Sequence, residues 1–282
     1  MSILETLDAE YLADSDFVMS YMLEHGTIAG RFVRLGPLAQ DIVSRHDVPP
    51  SVGLLLAEFM AAAAAMASSL KFTGILTFQT KSNGPISRIV TDVTTTGHIR
   101  ATCTIDRFRL STLGKAPSFG ALVGKGYIAV TIDQGPDMER YQGVVDLVGT
   151  KFADTLEHYF KQSNQQDMVI KLASVKADQG YQAAAISAQR VAYEGGTEIG
   201  EDEVKEAWRR SVILLSTATA DEMLDPSLQP AELLYRLFHE DGVVVQKPQT
   251  LQHKCRCSSE RVEEVLKALS ADELKDCQND AG

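Results

Sequence analysis

Gly74-Ile-Leu-Thr-Phe-Gln-Thr80 and Ile86-Ser-Arg-Ile-Val-Thr-Asp-Val93 flank the dipeptide Asn83-Gly84. Asn-Gly between two runs rich in β-branched and aromatic residues is a strong hairpin signal, because both residues reach the left-handed conformations that tight turns require. Pro85, directly after the pair, weakens the ideal two-residue form and predicts a longer loop. Thr96-Gly97 marks a second turn, into His98-Ile-Arg-Ala-Thr-Cys103. Further strand-like runs occupy residues 126–132, 143–148, 168–173 and 183–191. Helices are predicted over 51–70, after Pro49-Pro50, and over 152–162. Strands outnumber helices and arrive as hairpins. The predicted fold class is therefore α+β, a largely antiparallel-sheet core with packed helices.

The pattern changes after Glu194-Gly195-Gly196. Residues 201–240 carry almost no β signal. Val204, Trp208, Val212 and Leu215 recur at helical spacing and make one apolar stripe; Leu233, Leu234, Leu237 and Phe238 make a second, beyond breaks at Asp225-Pro226 and Gln229-Pro230. Amphipathic helices of this length need a surface to dock on. A third segment begins after Val243-Val244-Val245. It includes a short amphipathic helix through Val262, Val265, Leu266 and Leu269, then a capping-box signature at Ser270-Ala-Asp-Glu273. So few apolar side chains in that segment call for a further source of folding energy, such as a metal.

At 282 residues the chain has room for one large domain or two smaller ones. Its net charge of −11, from 38 acidic and 27 basic residues, argues against a phosphate-backbone binder and so against nucleic acid as a partner. The acidic N-terminus lacks the basic and apolar regions of a signal peptide. The weakly polar run Phe59 to Ala67 is too short to span a bilayer and reads as part of a buried helix, so no membrane partner is expected. Four cysteines at this length do not form a secreted disulfide scaffold, and the expected compartment is the reducing cytoplasm.

Soft, oxidisable side chains concentrate at Cys255-Arg256-Cys257. In an extended backbone, residues i and i+2 point to one side, so both sulfurs can reach one metal ion; their Cα atoms would lie roughly 6.5 Å apart, near the upper edge of disulfide geometry. The pair suits zinc binding as thiolates or a strained, easily reduced disulfide, against the plainer reading of two half-buried cysteines. His253 shares the strand face of 255 and 257, and with Cys277 it would complete a set of one histidine and three cysteines, although the position of Cys277 matches no familiar finger spacing. Cys103 lies in a predicted strand and reads as a small hydrophobe. Gly120-Ala-Leu-Val-Gly124-Lys125-Gly126 is one residue short of a phosphate loop and lacks its Ser or Thr. Asp133-Gln-Gly-Pro-Asp137 reads first as a turn. No histidine stands in an evident nucleophile–base–acid arrangement, and no catalytic residue is assigned.

Several stretches carry a family resemblance. They are Gly30-Arg-Phe-Val-Arg-Leu-Gly36, Ala67-Ser-Ser-Leu-Lys-Phe72, Gly84-Pro85, the run Thr131-Ile-Asp-Gln-Gly-Pro-Asp-Met-Glu-Arg-Tyr-Gln-Gly143, His158-Tyr-Phe-Lys-Gln-Ser163, residues 234–240, and Cys255-Arg-Cys-Ser-Ser-Glu-Arg-Val262. In these the chain resembles the thirty-three-kilodalton chaperonin family, the bacterial redox-regulated holdases, over nearly its whole length and in order. The resemblance implies an α+β core (1–196), a helical linker (197–245) and a partial redox-switch zinc domain (246–282). It implies no enzyme but an ATP-independent chaperone that binds unfolding client proteins under oxidative stress. In the reduced family pattern zinc is held by Cys-x-Cys and a later Cys-x-x-Cys. Oxidation forms two disulfides and releases the metal, the linker loses structure, and the active protein is a homodimer.

By that transfer Cys255 and Cys257 take the first two zinc-ligand positions and are redox-active thiols, while the remaining two ligands are absent from this chain. Truncation or natural loss both account for this; truncation is the expectation, since the sequence stops with its last helix barely begun. Zinc is then expected to bind weakly or not at all, with a poorly ordered tail and a switch impaired or locked towards the active side. The competing class is a thiol–disulfide oxidoreductase using Cys255 and Cys257, which the lack of a thioredoxin-like βαβ setting disfavours. The linker stripes and the core sheet are the candidate client surfaces.

Overall fold

A computed structural model describes residues 15–23, 26–163, 167–191, 200–254, 263 and 266–270. In chain order the elements are β1 (Phe17–Leu23), β2 (Ile28–Leu35), α1 (Pro37–Ser44), α2 (Pro50–Ser69), β3 (Ile75–Ser82), β4 (Ile86–Thr94), β5 (His98–Ile105), α3 (Arg107–Ser111), α4 (Phe119–Val123), β6 (Gly126–Asp133), β7 (Tyr141–Asp146), α5 (Phe152–Ser163), β8 (Met168–Ala177) and β9 (Gly180–Arg190). There follow α6 (Glu201–Thr217), α7 (Ala220–Leu224), α8 (Pro230–Phe238), a 3-10 turn (His239–Asp241), β10 (Val243–Val245), β11 (Gln249–Thr250) and β12 (Gln252–His253).

The hairpin read from Asn83-Gly84 is present as β3 and β4, with Phe78 opposite Thr91. Its loop is longer than two residues, as Pro85 required, and the amides of Asn83 and Gly84 turn away to the carbonyls of Lys125 and Val123 at 2.9 and 3.0 Å. Gly84 is there for proximity, because a β-carbon would collide with the backbone of Val123. One sheet runs β12-β5-β4-β3-β6-β7, antiparallel except where β12 meets β5. The other runs β10-β1-β2-β9-β8, with β11 also on β1, and is antiparallel throughout. The α+β class with antiparallel sheets is thus what the sequence led us to expect.

Helix α2 touches strands of both sheets. It is apolar on every side, with Ala57, Phe59, Met60 and Ala61 to Ala65 all at 1% exposure or less. A helix without a polar face belongs in a core or a membrane. By length and composition α2 would cross a bilayer, yet 78% of its apolar window is buried inside the protein, so it is the core helix. Its alanines hold helical propensity while letting both sheets approach closely. Phe59 stacks on Phe152 of α5 at 3.6 Å between ring centroids. Arg31 of β2 donates to the Ser68 carbonyl at 3.0 and 2.8 Å, placing a cation on the negative end of the helix.

Glu58 is the one ionisable side chain of α2, and its Oε1 accepts from Ser174 Oγ at 2.9 Å. Burial raises its pKa, with the Ser174 bond and the Lys151 charge opposing. A raised folded-state value means its contribution is fully present below the unfolded carboxyl pKa and is lost as pH rises through the folded one. Glu58→Gln, which keeps the acceptor and removes the ionisation, should therefore raise the melting temperature near neutral pH and leave it unchanged below about pH 4. A lower melting point at both pH values would overturn this account.

Strands β1 and β2 went unread in the sequence. Phe17, Met19, Tyr21 and Leu23 point to one face of their sheet and Val18 to the other, the alternation of a strand buried on both sides. Segment 246–254, placed from the sequence in the tail, supplies β11 to one sheet and β12 to the other, with Leu251 3% exposed between them.

Candidate functional site: the docked linker

The face of the β10-β1-β2-β9-β8 sheet turned away from α2 is apolar: Phe17, Met19, Tyr21, Ile28, Phe32, Ala184 and Ile186 line it. Helices α6, α7 and α8 lie across that face, bringing Leu215, Met223, Leu233, Leu234, Leu237 and Phe238 into one cluster with it. The second stripe read from the sequence is fully realised, since Leu233, Leu234, Leu237 and Phe238 are all buried. The first is rotated. The face of α6 that buries deepest runs through Ala207, Ser211 and Leu215, while Trp208 flanks it and Val204 and Val212 stay outside the cluster. Small residues at the contact line let the helix sit close, and Ser211 satisfies its hydroxyl on the Ala207 carbonyl at 2.8 Å.

Two side chains of the sheet anchor the linker, and an ion pair braces the linker itself. Arg34 on β2 is 6% exposed and reaches up through the apolar layer. Its Nε donates to the Met223 carbonyl at 3.0 Å, and Nη1 and Nη2 both donate to the Leu228 carbonyl at 3.1 Å. Its guanidinium lies 5.3 Å from the Phe32 ring centre and 5.8 Å from that of Phe17. Burial pushes the Arg34 pKa down to about 10, with the Asp225 charge opposing. The group stays a cation, bound largely by backbone oxygens.

The second anchor is Tyr21, whose ring stacks on Phe238 at 5.5 Å and whose hydroxyl donates to the Ser187 carbonyl at 2.9 Å. Burial raises its pKa, so the phenol remains neutral and a donor. Gly30 makes room for it, because a β-carbon there would collide with the Tyr21 ring. Within the linker, Arg210 of α6 is joined to Asp241, which is 3% exposed, through Nε to Oδ1 at 2.6 Å and a second bond from Nη2. Asp241 Oδ2 has no hydrogen-bond partner among the described residues. Sequence patterning located the linker helices but neither Arg34 nor Tyr21; the missed signal was the aromatic alternation of 17–23.

The thiols predicted as metal ligands and redox centre, Cys255 and Cys257, lie outside the described residues, as does Cys277. Their immediate approach is fixed, however. Lys254 N bonds the Ile99 carbonyl at 3.3 Å, and β12 runs parallel to β5. His253, weighed from the sequence as a ligand, has Nδ1 3.0 Å from Asp41 Oδ2 on α1. The Arg45 hydrogen bond, with His253 adding, holds the Asp41 carboxyl below the usual range. No group of three or more potential ligand side chains occurs among the described residues. Cys103 is buried enough to push its thiol up to about 11, which keeps it protonated and unreactive, in keeping with a packing role.

Comparison with known proteins converges on one family. The family model described as Hsp33 protein matches residues 16–282. A 33 kDa chaperonin of Caulobacter vibrioides is 38% identical over 266 residues, which cover 92% of this chain and 87% of that protein. A 33 kDa chaperonin of Pseudomonas fluorescens is 30% identical over 269 residues, covering 95% and 84% respectively. The crystal structure of the 33 kDa chaperonin from Thermotoga maritima superposes with a TM-score of 0.76 at 21% identity, over 94% of this chain and 89% of that one. The chain belongs to the Hsp33 family.

Proposed function

We propose that this protein is an ATP-independent holdase chaperone whose client surface is uncovered when the linker helices leave their sheet. One observation carries this reading: a large aromatic and aliphatic sheet face, lined by Phe17, Met19, Tyr21, Phe32 and Ile186, is covered by helices held through few polar anchors. A patch of that kind, once bare, favours unfolded chains through non-directional apolar burial. The names of the relatives, 33 kDa chaperonin, support the same reading.

The redox control follows from connectivity. From Phe238 the chain passes through the 3-10 turn into β10, β11 and β12, and then directly into Cys255 and Cys257. In the proposed step a peroxide takes two electrons and two protons from the two thiols; an S–S bond forms, and the peroxide leaves as water. The strained geometry of an i, i+2 disulfide then pulls on β12 and β11, and through β10 on α8. Zinc would call on Cys255 and Cys257, which lie outside the described residues, and His253 beside them is engaged on Asp41. No step is therefore routed through the metal. The working protein is assigned to the cytoplasm and is a homodimer when active.

Light scattering from a heat-unfolded client tests the proposal, with the protein reduced and then treated with peroxide. Stoichiometric suppression after oxidation is expected, with weaker suppression before it. Catalytic turnover of an insulin disulfide without suppression of aggregation would favour the oxidoreductase instead.

A further inference from the structure

A cleft of about 610 Å³ opens beside β8, on the side of the sheet facing α2. Its walls are the first half of α2, the start of α5 and the segment 115–122; its floor includes Leu54, Leu172 and Phe119. Strand β8 ends its sheet among the described residues, with β9 on one side and this cleft on the other. The direction of its backbone groups is fixed by two hydrogen bonds. The Asp167 carbonyl accepts from Arg190 N at 2.9 Å, on the β9 side. The Ile170 amide donates to Glu157 Oε1 at 3.2 Å, on the cleft side. Since alternate residues of a strand aim their N–H and C=O groups to opposite edges, Leu172, Ser174 and Lys176 also present theirs outward. An unpaired strand edge is a template for another strand.

Two carboxylates face this edge. Glu58 bonds Ser174 Oγ, and Glu157 occupies the Ile170 amide in the way an incoming carbonyl would. Burial raises the pKa of both, so their ionised forms lack full compensation in the folded protein. Asp154 turns inward to the amides of Thr150 and Lys151, and the cleft's basic side chains, Lys115 and Lys151, lie on the exposed rim. Lys171 reaches the other face of the sheet, to the Ser216 carbonyl.

We propose that the β8 edge seats an extended segment of another polypeptide, added as a further strand along Leu172, Ser174 and Lys176, with one apolar and one basic side chain two residues apart on the face towards α2. The apolar side chain rests on Leu54, Leu172 and Phe119, and the basic one pairs with Glu58 or Glu157. Main-chain hydrogen bonds give affinity for any extended sequence, and the two side-chain subsites add a preference. The segment's identity as an unfolded client rests on the chaperone reading; the seat itself does not.

The test uses a fluorescent eight-residue peptide, Val-Thr-Lys-Thr-Val-Thr-Lys-Thr, which sets valine and lysine two residues apart on one strand face, measured by anisotropy against the full chain. Proline tolerates an outward-facing edge position, since the missing N–H would have met solvent. Ser174→Pro therefore blocks the edge, while Val175→Ala changes a neighbour whose N–H and C=O face β9 and leaves the edge open. Binding is expected to weaken about tenfold or more in Ser174→Pro and to stay within about twofold in Val175→Ala. Against the unaltered protein, a peptide N-methylated at its central amides should bind comparably weakly, a control free of any folding defect. On peptide addition the amides of Leu172 and Ser174 should gain protection from hydrogen exchange. Equal binding by all three proteins, or no binding, overturns the proposal, as does a peptide effect confined to a dimer built by β8 pairing between two copies. Client aggregation is scored separately, so a protein that suppresses aggregation yet fails the peptide test loses this seat and keeps its chaperone reading.

Discussion

Arg34→Ala should release α7 and α8 from the sheet while leaving the core intact. The guanidinium makes three hydrogen bonds to the carbonyls of Met223 and Leu228, at 3.0 to 3.1 Å. Charge-assisted bonds of this kind contribute about 1.5–3 kcal/mol each at most, and acceptors left dry cost more than the bond was worth. The truncation also leaves a gap over the Phe17 and Phe32 rings, on which the guanidinium lies. A net loss of about 3 kcal/mol corresponds to roughly 100-fold faster amide exchange by local opening. That acceleration should appear in residues 220–238 and spare α2, which lies in the other core cluster. The reduced variant should also suppress client aggregation without oxidant. Arg34→Lys should fall between, because an ammonium cannot fork to two carbonyls. Unchanged exchange in α7 and α8 would show that Arg34 is not an anchor.

Residues whose role is fixed by local pattern were legible in the sequence. The β3–β4 hairpin, the core helix and the leucine stripe of α8 each follow from periodicity and turn chemistry within a short window. Strands β1 and β2 were not, for a physical reason. Val18 of β1 and Val33 and Leu35 of β2 join the core on the second face, so the polar half of the alternation is incomplete. Phe17 to Leu23, polar only at Ser20, looks like an undirected apolar run. The rotated face of α6 was hidden differently. Ala207 and Ser211 lie at the contact because they are small, and a search for large apolar residues selects Val204 and Val212 instead. Arg34 shows the limit of composition: an arginine in a strand reads as solvent-facing until the partner carbonyls, about 190 residues away, are known. Family resemblance marked the stretch 30–36 without saying what any residue in it holds. The expectations on Cys255, Cys257 and Cys277 fall outside the described residues and stand as proposals.

Phe238→Ala should be as disruptive as the loss of Arg34, from the opposite end of α8. The side chain is fully buried, stacks on Tyr21 and belongs to the cluster that joins linker to sheet. Phenylalanine-to-alanine changes in cores cost about 3–5 kcal/mol, from lost burial plus the cavity left behind. Its place in the chain adds a second consequence, because the 3-10 turn and β10 follow directly, and β10 pairs with β1 through Leu23 and Val243. Loosening Phe238 therefore frees both the helix and the strand that leads towards the thiols. Phe238→Leu should cost less, since most of the volume is retained. Combining Phe238→Ala with Arg34→Ala distinguishes one cooperative linker from separate helices. If α7, α8 and β10 leave together, each variant lowers the same opening free energy, and every amide of the unit exchanges faster in either one. The double variant should then accelerate exchange across the unit by about the product of the two single factors. Acceleration confined in each variant to its own stretch, with no further gain there in the double variant, would instead mean that each anchor holds its own piece of chain, and oxidation at one end could not clear the whole sheet face.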